Sequence, residues 1–147
     1  MFIKEEVKFP VKSHPYTRIT DIKTVESDPN GLNPSSPGAK LDAGKQRPHL
    51  MLSGFSNALS RISEVTTKGA KKYTPNGWME VPNGIERYQD AAYRHQLALW
   101  QGEKVDNDTG CDHESQVIWN LLAAYELKLR KELTDKAFNN LAKAFQS

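Results

Sequence analysis

A chain of 147 residues, 37 % hydrophobic and 26 % charged, suits a single domain with a modest core. No run of about 18 apolar residues occurs, which argues against a membrane span. The net charge of +2 is too small for a general binder of long nucleic acid, and the single cysteine, Cys111, excludes an internal disulfide and an all-cysteine metal site. Cys111 reads as a small loop residue. The N-terminal MFIKEEVKFPVK lacks the apolar segment and cleavage site of a secretory signal, so a cytosolic protein is expected.

Residues 1–25 alternate only in patches (Phe2, Val7, Phe9, then Ile19, Ile22, Val25) and are cut by Pro10 and Pro15, which reads as a short strand or extended arm. Glu26 to Gly38 is a loop by its Pro, Gly, Ser and Asn content. The segment GAKLDAGKQRPHL then sets Lys40, Lys45 and Arg47 beside Gly38 and Gly44, where backbone and cations can approach an anion. It is not a Walker loop, because five residues separate the glycines and Gln46 stands where Ser or Thr would hold magnesium. A solvated basic loop is the plainer alternative.

Leu52, Phe55, Leu59, Ile62 and Val65 predict a helix from His49 to Val65, with Glu64 near its end. A carboxylate there opposes the helix dipole and suggests a specific partner; a solvated Glu is the alternative. TTKGAKKYTPNGW is expected to stop the helix, with Gly69 as C-cap. Lys68, Lys71 and Lys72 supply positive charge, and Tyr73 and Trp78 supply flat faces for a base or else pack at the edge of the core.

The central feature is a helical hairpin from Gly84 to Lys131. Ile85, Tyr88, Ala92, Leu99 and Trp100 form one stripe over a helix at 84–101, and His95 lies within it. Asn83 and Glu86 are placed for a capping box, and Gly102 for the stop. Arg94 points about 100° away from His95, toward a pocket mouth. The loop KVDNDTGCDHE resembles a calcium loop but has Gly110 at position five and Val117 in place of the final Glu, so an EF-hand is excluded. Asp112 is a good N-cap for the second helix. There Ile118, Leu121, Leu122, Tyr125 and Leu129 make an apolar side, with a polar track of His113, Gln116, Asn120 and Ala123 beside it. A polar track held between helices must be satisfied by side chains, a metal or a ligand. A lone His in such a stripe is more often a satisfied core residue; the ligand reading of His95 rests on its neighbours. A last amphipathic helix is expected through Ala137, Leu141, Ala144 and Phe145, starting near Thr134 or Asp135.

Taken together, KLDAGKQR (40–47), EVTTKGAKKY (64–73), NGW (76–78), Tyr88 with RH (94–95), GEKVD (102–106) and TGCDH with Asn120 resemble a bacteriophage family of dATP/dGTP diphosphohydrolase N-terminal domains. The resemblance spans about residues 38–130. It implies an all-α nucleotide-handling protein of phage or prophage origin in the host cytoplasm. It also implies kinship with MazG-like pyrophosphohydrolases, which cleave between the α- and β-phosphates with magnesium on clustered carboxylates. Where those kin carry acids, this chain has Asp90, Ala91, Arg94 and His95 on one helix and Val117 and Asn120 on the next. Imidazoles with Asp suit a softer ion such as Mn²⁺, Zn²⁺ or Fe, or a phosphate site without metal.

Two functions are therefore expected in order. The first is a nucleotide pyrophosphohydrolase acting on purine deoxynucleoside triphosphates. Glu64, His95, Asp106 and His113 would hold a divalent metal (Mg²⁺ or Mn²⁺) and activate water. Lys40, Lys45, Arg47, Lys72, Tyr73, Trp78, Arg94 and Asn120 would bind the substrate. The second is a non-catalytic protein that sequesters a nucleotide or a nucleotide-derived signal. The expected fold is an all-α bundle of about four helices, with an arm and loop at 1–37 and a helical domain at 38–147. Broad apolar sides on so small a domain predict a homo-oligomer.

Overall fold

Pro48 opens the first helix, where its missing N–H costs nothing. Helix α1 spans Pro48–Gly54 and gives way at Phe55 to α2, Ser56–Lys72. A 3₁₀ turn covers Gly77–Glu80, followed by α3, Gly84–Trp100, and α4, His113–Ala144. This computed structural model describes residues 26–144, with side chains to residue 140. The arm expected at residues 1–25 lies outside them. Among the described residues the fold is all-α with four α-helices, and the sole β feature is an isolated bridge between Val105 and Asp112. The chain divides into two compact units, Met1–Arg47 and Pro48–Ser147.

Three helix boundaries differ from expectation, each for a local reason. The helix expected at 49–65 breaks at Phe55, whose φ of −112° and ψ of 25° leave the α region, and then runs on to Lys72. Glu64 thus sits mid-helix, and Gly69 accepts the Tyr73 N–H from within the helix. The Thr66 and Thr67 hydroxyls bond the carbonyls of Ile62 and Ser63, so residues that read as breakers are held in helical geometry. Asn83 adopts the left-handed conformation (φ 52°), where its side chain caps nothing, and the Asn83–Glu86 capping box does not form. The last two expected helices are one: α4 contains no Gly or Pro, and Thr134 bonds back to Arg130 O instead of starting a new element.

The hairpin of α3 and α4 carries the structure. Gly102, with φ 88°, ends α3 in a Schellman arrangement: Gly102 N–H donates to Leu99 O and Glu103 N–H to Ala98 O. Asp112 caps α4 as expected, its Oδ1 accepting the Ser115 N–H at 2.7 Å. At the far end Gly84 is buried, and a Cβ there would lie 2.6 Å from Leu127 Cδ1. Gly84→Ala is expected to lower stability by about 1 kcal/mol through overpacking. A thermal melt checks this; an unchanged midpoint would mean that Leu127 swings aside freely.

The seam between the arms is small and polar. The buried apolar side chains are Ala92, Cys111, Ala123 and Ala124, and they are joined by buried His113, Ser115, Gln116 and Asn120. Small residues let the two helices approach and leave room for the polar track. The apolar side of α4 lies about 170° around the axis from that track, opposite it rather than beside it. It faces outward: Ile118, Leu121, Leu122 and Tyr125 are 44–54 % exposed. In α3 the stripe turns inward except at its end, where Trp100 is exposed.

Candidate functional site

His95 enters the seam from α3 and His113 from the first turn of α4. Their Nδ1 atoms are 2.8 Å apart, a hydrogen bond in which one ring donates and the other accepts. The rings are tilted by 42° with centroids 5.1 Å apart. His113 is only 4 % exposed, and its backbone N–H is held by Lys104 O at 3.0 Å. Its remaining ring nitrogen, Nε2, is buried without a hydrogen-bond partner among the described residues, and faces Glu103 Oε1 at 3.6 Å. Burial lowers the His95 pKa below the usual imidazole value, and the neighbouring His113 and Arg94 lower it further. Asp106 and Glu103 oppose that shift without cancelling it.

The sign of the His95 shift gives a pH dependence. An unfolded chain takes up this proton near 6.5, whereas the folded chain resists it to lower pH. The stability contribution is therefore whole above that value and is lost as pH falls below it. The urea midpoint is expected to be lower at pH 5.5 than at pH 7.5; equal midpoints would contradict a desolvated His95.

Beneath the pair, the 103–112 loop is organised by Asp106. Its Oδ2 accepts from Thr109 Oγ1 at 2.8 Å and Gln116 Nε2 at 3.1 Å, and its Oδ1 accepts the Asp108 N–H at 3.1 Å. Burial of Asp106 works against ionisation, but these bonds outweigh it and hold the carboxyl below its usual range. Gly110, at φ 66°, closes the turn by donating to Asp106 O. Asn120 donates to Gln116 O one turn further along the buried track. Asp106→Ala is expected to cost about 2 kcal/mol, set below the sum of three charged hydrogen bonds because the loop lies at the surface. Chemical denaturation measures it; a loss under about 0.5 kcal/mol would show that the loop holds itself.

The other expected site residues fall elsewhere. Glu64 pairs along its own helix with Lys68 at 2.8 Å and Arg61 at 3.6 Å, and the Lys68 ammonium lowers its pKa. Lys72 pairs with Asp108 at 2.8 Å, tying the end of α2 to the loop, and its ammonium lies 5.8 Å from the Tyr73 ring centroid. Tyr73 is 74 % exposed and Arg94 is exposed. Trp78 packs edge-to-face with Tyr88 and Trp119, at centroid distances of 6.5 and 6.0 Å. That is the core-edge alternative for Trp78, realised as a cluster. Lys40 and Lys45, in the first unit, lie near Asp42 (3.3 Å) and Glu26 (3.9 Å), and Arg47 is exposed. There Asp28 accepts the N–H groups of Asn30 and Lys40, both at 2.7 Å, and so shapes the basic loop.

Glu64 and Asp106 are thus bonded to other side chains, and His95 and His113 stand as a pair. Among the described residues, no group of three or more His, Cys, Asp or Glu side chains is placed to share one metal ion. Bonded to each other, the two neutral imidazoles keep one bare nitrogen between them and so make one corner of a coordination shell, leaving the rest to other donors. Glu103 is a site residue that sequence reasoning missed. It is the residue that follows the helix-ending Gly102, held by its N–H to Ala98 O, and its ten-residue offset from His113 follows no helical period.

An all-α hairpin with a buried His, Gln and Asn seam defines the class: a helical protein with a polar site built between two antiparallel arms. Residues 35–137 match the family described as dATP/dGTP diphosphohydrolase, N-terminal. The chain belongs to that family. No curated protein and no solved structure matches it.

Proposed function

We propose that the chain binds a purine deoxynucleoside triphosphate (dATP or dGTP) and hydrolyses it to the monophosphate and pyrophosphate. The observation that carries this reading is the meeting of His95 and His113 on facing helices of a chain that matches this family. A neutral imidazole in a desolvated seam suits general-base work near neutral pH. It would take a proton from water as the oxygen bonds to the α-phosphorus and the bond to the bridging oxygen breaks. Lys72 and Arg94 would offset phosphate charge, Tyr73 would stack the base, and Asn120 would hold the buried track in place. Lys40, Lys45 and Arg47 are proposed as phosphate ligands on their own loop. With the two Nδ1 atoms bonded to each other, the pair leaves one bare nitrogen for a divalent ion, whose other ligands would be oxygens such as a triphosphate carries.

The test incubates purified protein with each of the four deoxynucleoside triphosphates and Mg²⁺ or Mn²⁺, and resolves products by chromatography. Monophosphate and pyrophosphate from dATP and dGTP are expected; four intact nucleotides would contradict hydrolysis. A second reading, sequestration without chemistry, is favoured by the internal bonds that engage Glu64 and Asp106. It predicts tight calorimetric binding, chelator independence and recovery of unchanged ligand.

The proposed setting is the cytoplasm of a phage-infected host. Among the described residues no helix is long and apolar enough to cross a membrane. We further propose that a second copy covers Ile118, Leu121, Leu122 and Tyr125, since scattered single apolar residues are ordinary but one continuous helix side is not. Light scattering is expected to give a dimer or larger assembly for the full chain. Leu122→Glu is expected to shift it toward the monomer.

A further inference from the structure

The imidazole pair has a proton to place, and its surroundings decide where. An Nδ1-to-Nδ1 hydrogen bond between two neutral rings allows two arrangements. In one, His113 donates, which leaves a bare lone pair on its own Nε2. In the other, His95 donates, and His113 carries its hydrogen on Nε2. That nitrogen is buried, has no hydrogen-bond partner among the described residues, and faces Glu103 Oε1 at 3.6 Å. A lone pair turned toward a carboxylate is repelled, whereas an N–H is attracted. The separation exceeds a direct hydrogen bond, so the preference is electrostatic, and it is strengthened by the low local dielectric around a 4 % exposed ring.

We propose that Glu103 is a positioning residue. Acting through His113, it fixes His95 as the Nδ1–H tautomer and leaves the His95 Nε2 lone pair to accept a proton from water or from a ligand hydroxyl. Among the described residues no hydrogen bond is made to His95 Nε2. The order of donation is His95 Nδ1–H to His113 Nδ1, then His113 Nε2–H toward Glu103, a carboxylate–imidazole–imidazole relay. The use of the freed nitrogen as a base rests on the hydrolytic reading above. The tautomer itself does not.

The experiment is long-range ¹H–¹⁵N correlation on the full chain with labelled histidine, at pH 8, well above the ordinary imidazole value of about 6.5. The expected spectrum has a pyrrole-type Nδ1 and a pyridine-type Nε2 for His95, and the reverse for His113. A pyrrole-type Nε2 on His95 would overturn the proposal. Glu103 is exposed and lies outside the helices, so it accepts substitution. Glu103→Lys places a cation beside His113 Nε2 and is expected to switch both rings to the opposite tautomer. Glu103→Leu is expected to populate both. Retention of the original pattern in Glu103→Lys would show that Glu103 does not set it. Failure of nucleotide hydrolysis would leave these spectra unchanged, so the two readings fail separately.

Discussion

Replacing His95 with Ala is expected to lower turnover of dATP and dGTP by about 10²- to 10⁴-fold, the range that general-base groups contribute. Nucleotide binding should weaken far less. His95 lies in the seam, bonded to His113 at 2.8 Å, so its loss removes a base nitrogen and strands the His113 Nδ1. A disturbed helix seam would also lower turnover. His95→Gln separates the two, because Gln preserves polarity and approximate volume without offering a titratable base. Steady-state kinetics on both variants, with circular dichroism as a check on helicity, should give two similarly inactive, well-folded proteins. A His95→Gln variant with full turnover would remove His95 from the chemistry.

The largest stability change is expected for Trp119→Ala, about 3 kcal/mol, somewhat under a fully buried Trp because this ring is half-buried. Trp119 on α4 meets Tyr88 of α3 at 5.6 Å and Trp78 of the 3₁₀ turn at 6.0 Å, both edge-to-face. Its Nε1–H donates to Thr66 Oγ1 on α2 at 2.8 Å, so this one side chain ties three elements to α4. The Tyr88 hydroxyl adds a bond to Trp78 O at 3.1 Å. With no large side chain fully buried among the described residues, the half-buried cluster stands in for a conventional core. A change of this size should lower the melting midpoint by about 10 °C. Trp119→Phe, which keeps the ring contacts and loses the hydrogen bond, should recover more than half of it. Equal losses for Ala and Phe would place the effect in the Thr66 bond.

The hairpin and its polar interior were legible in the sequence because both rest on short-range rules. Gly102 and Asp112 mark an end and a start by backbone conformation and side-chain capping. His113, Gln116 and Asn120 share a helix side by spacing alone. The break at Phe55 and the continuity of α4 through Thr134 were not legible. Residues such as Thr66, Thr67 and Thr134 fit helix or terminus equally, and only the i−4 carbonyl they bond decides. Periodicity at Ile118, Leu121, Leu122 and Tyr125 marks a side that calls for burial but does not say against what. Here the small and polar side of α4 faces α3. The partners of Glu64 and Lys72 lie within a turn or 36 residues away, and composition weights both choices alike.

The most direct test of the account is a titration of histidine-labelled protein with dGTP, followed through imidazole resonances. The imidazole signals of His95 and His113 are expected to move together and saturate at one nucleotide per site, while that of His49, on the short α1 helix, stays in place. Movement confined to His49, with the paired imidazoles unchanged at saturating dGTP, would contradict a nucleotide site built on the seam between α3 and α4.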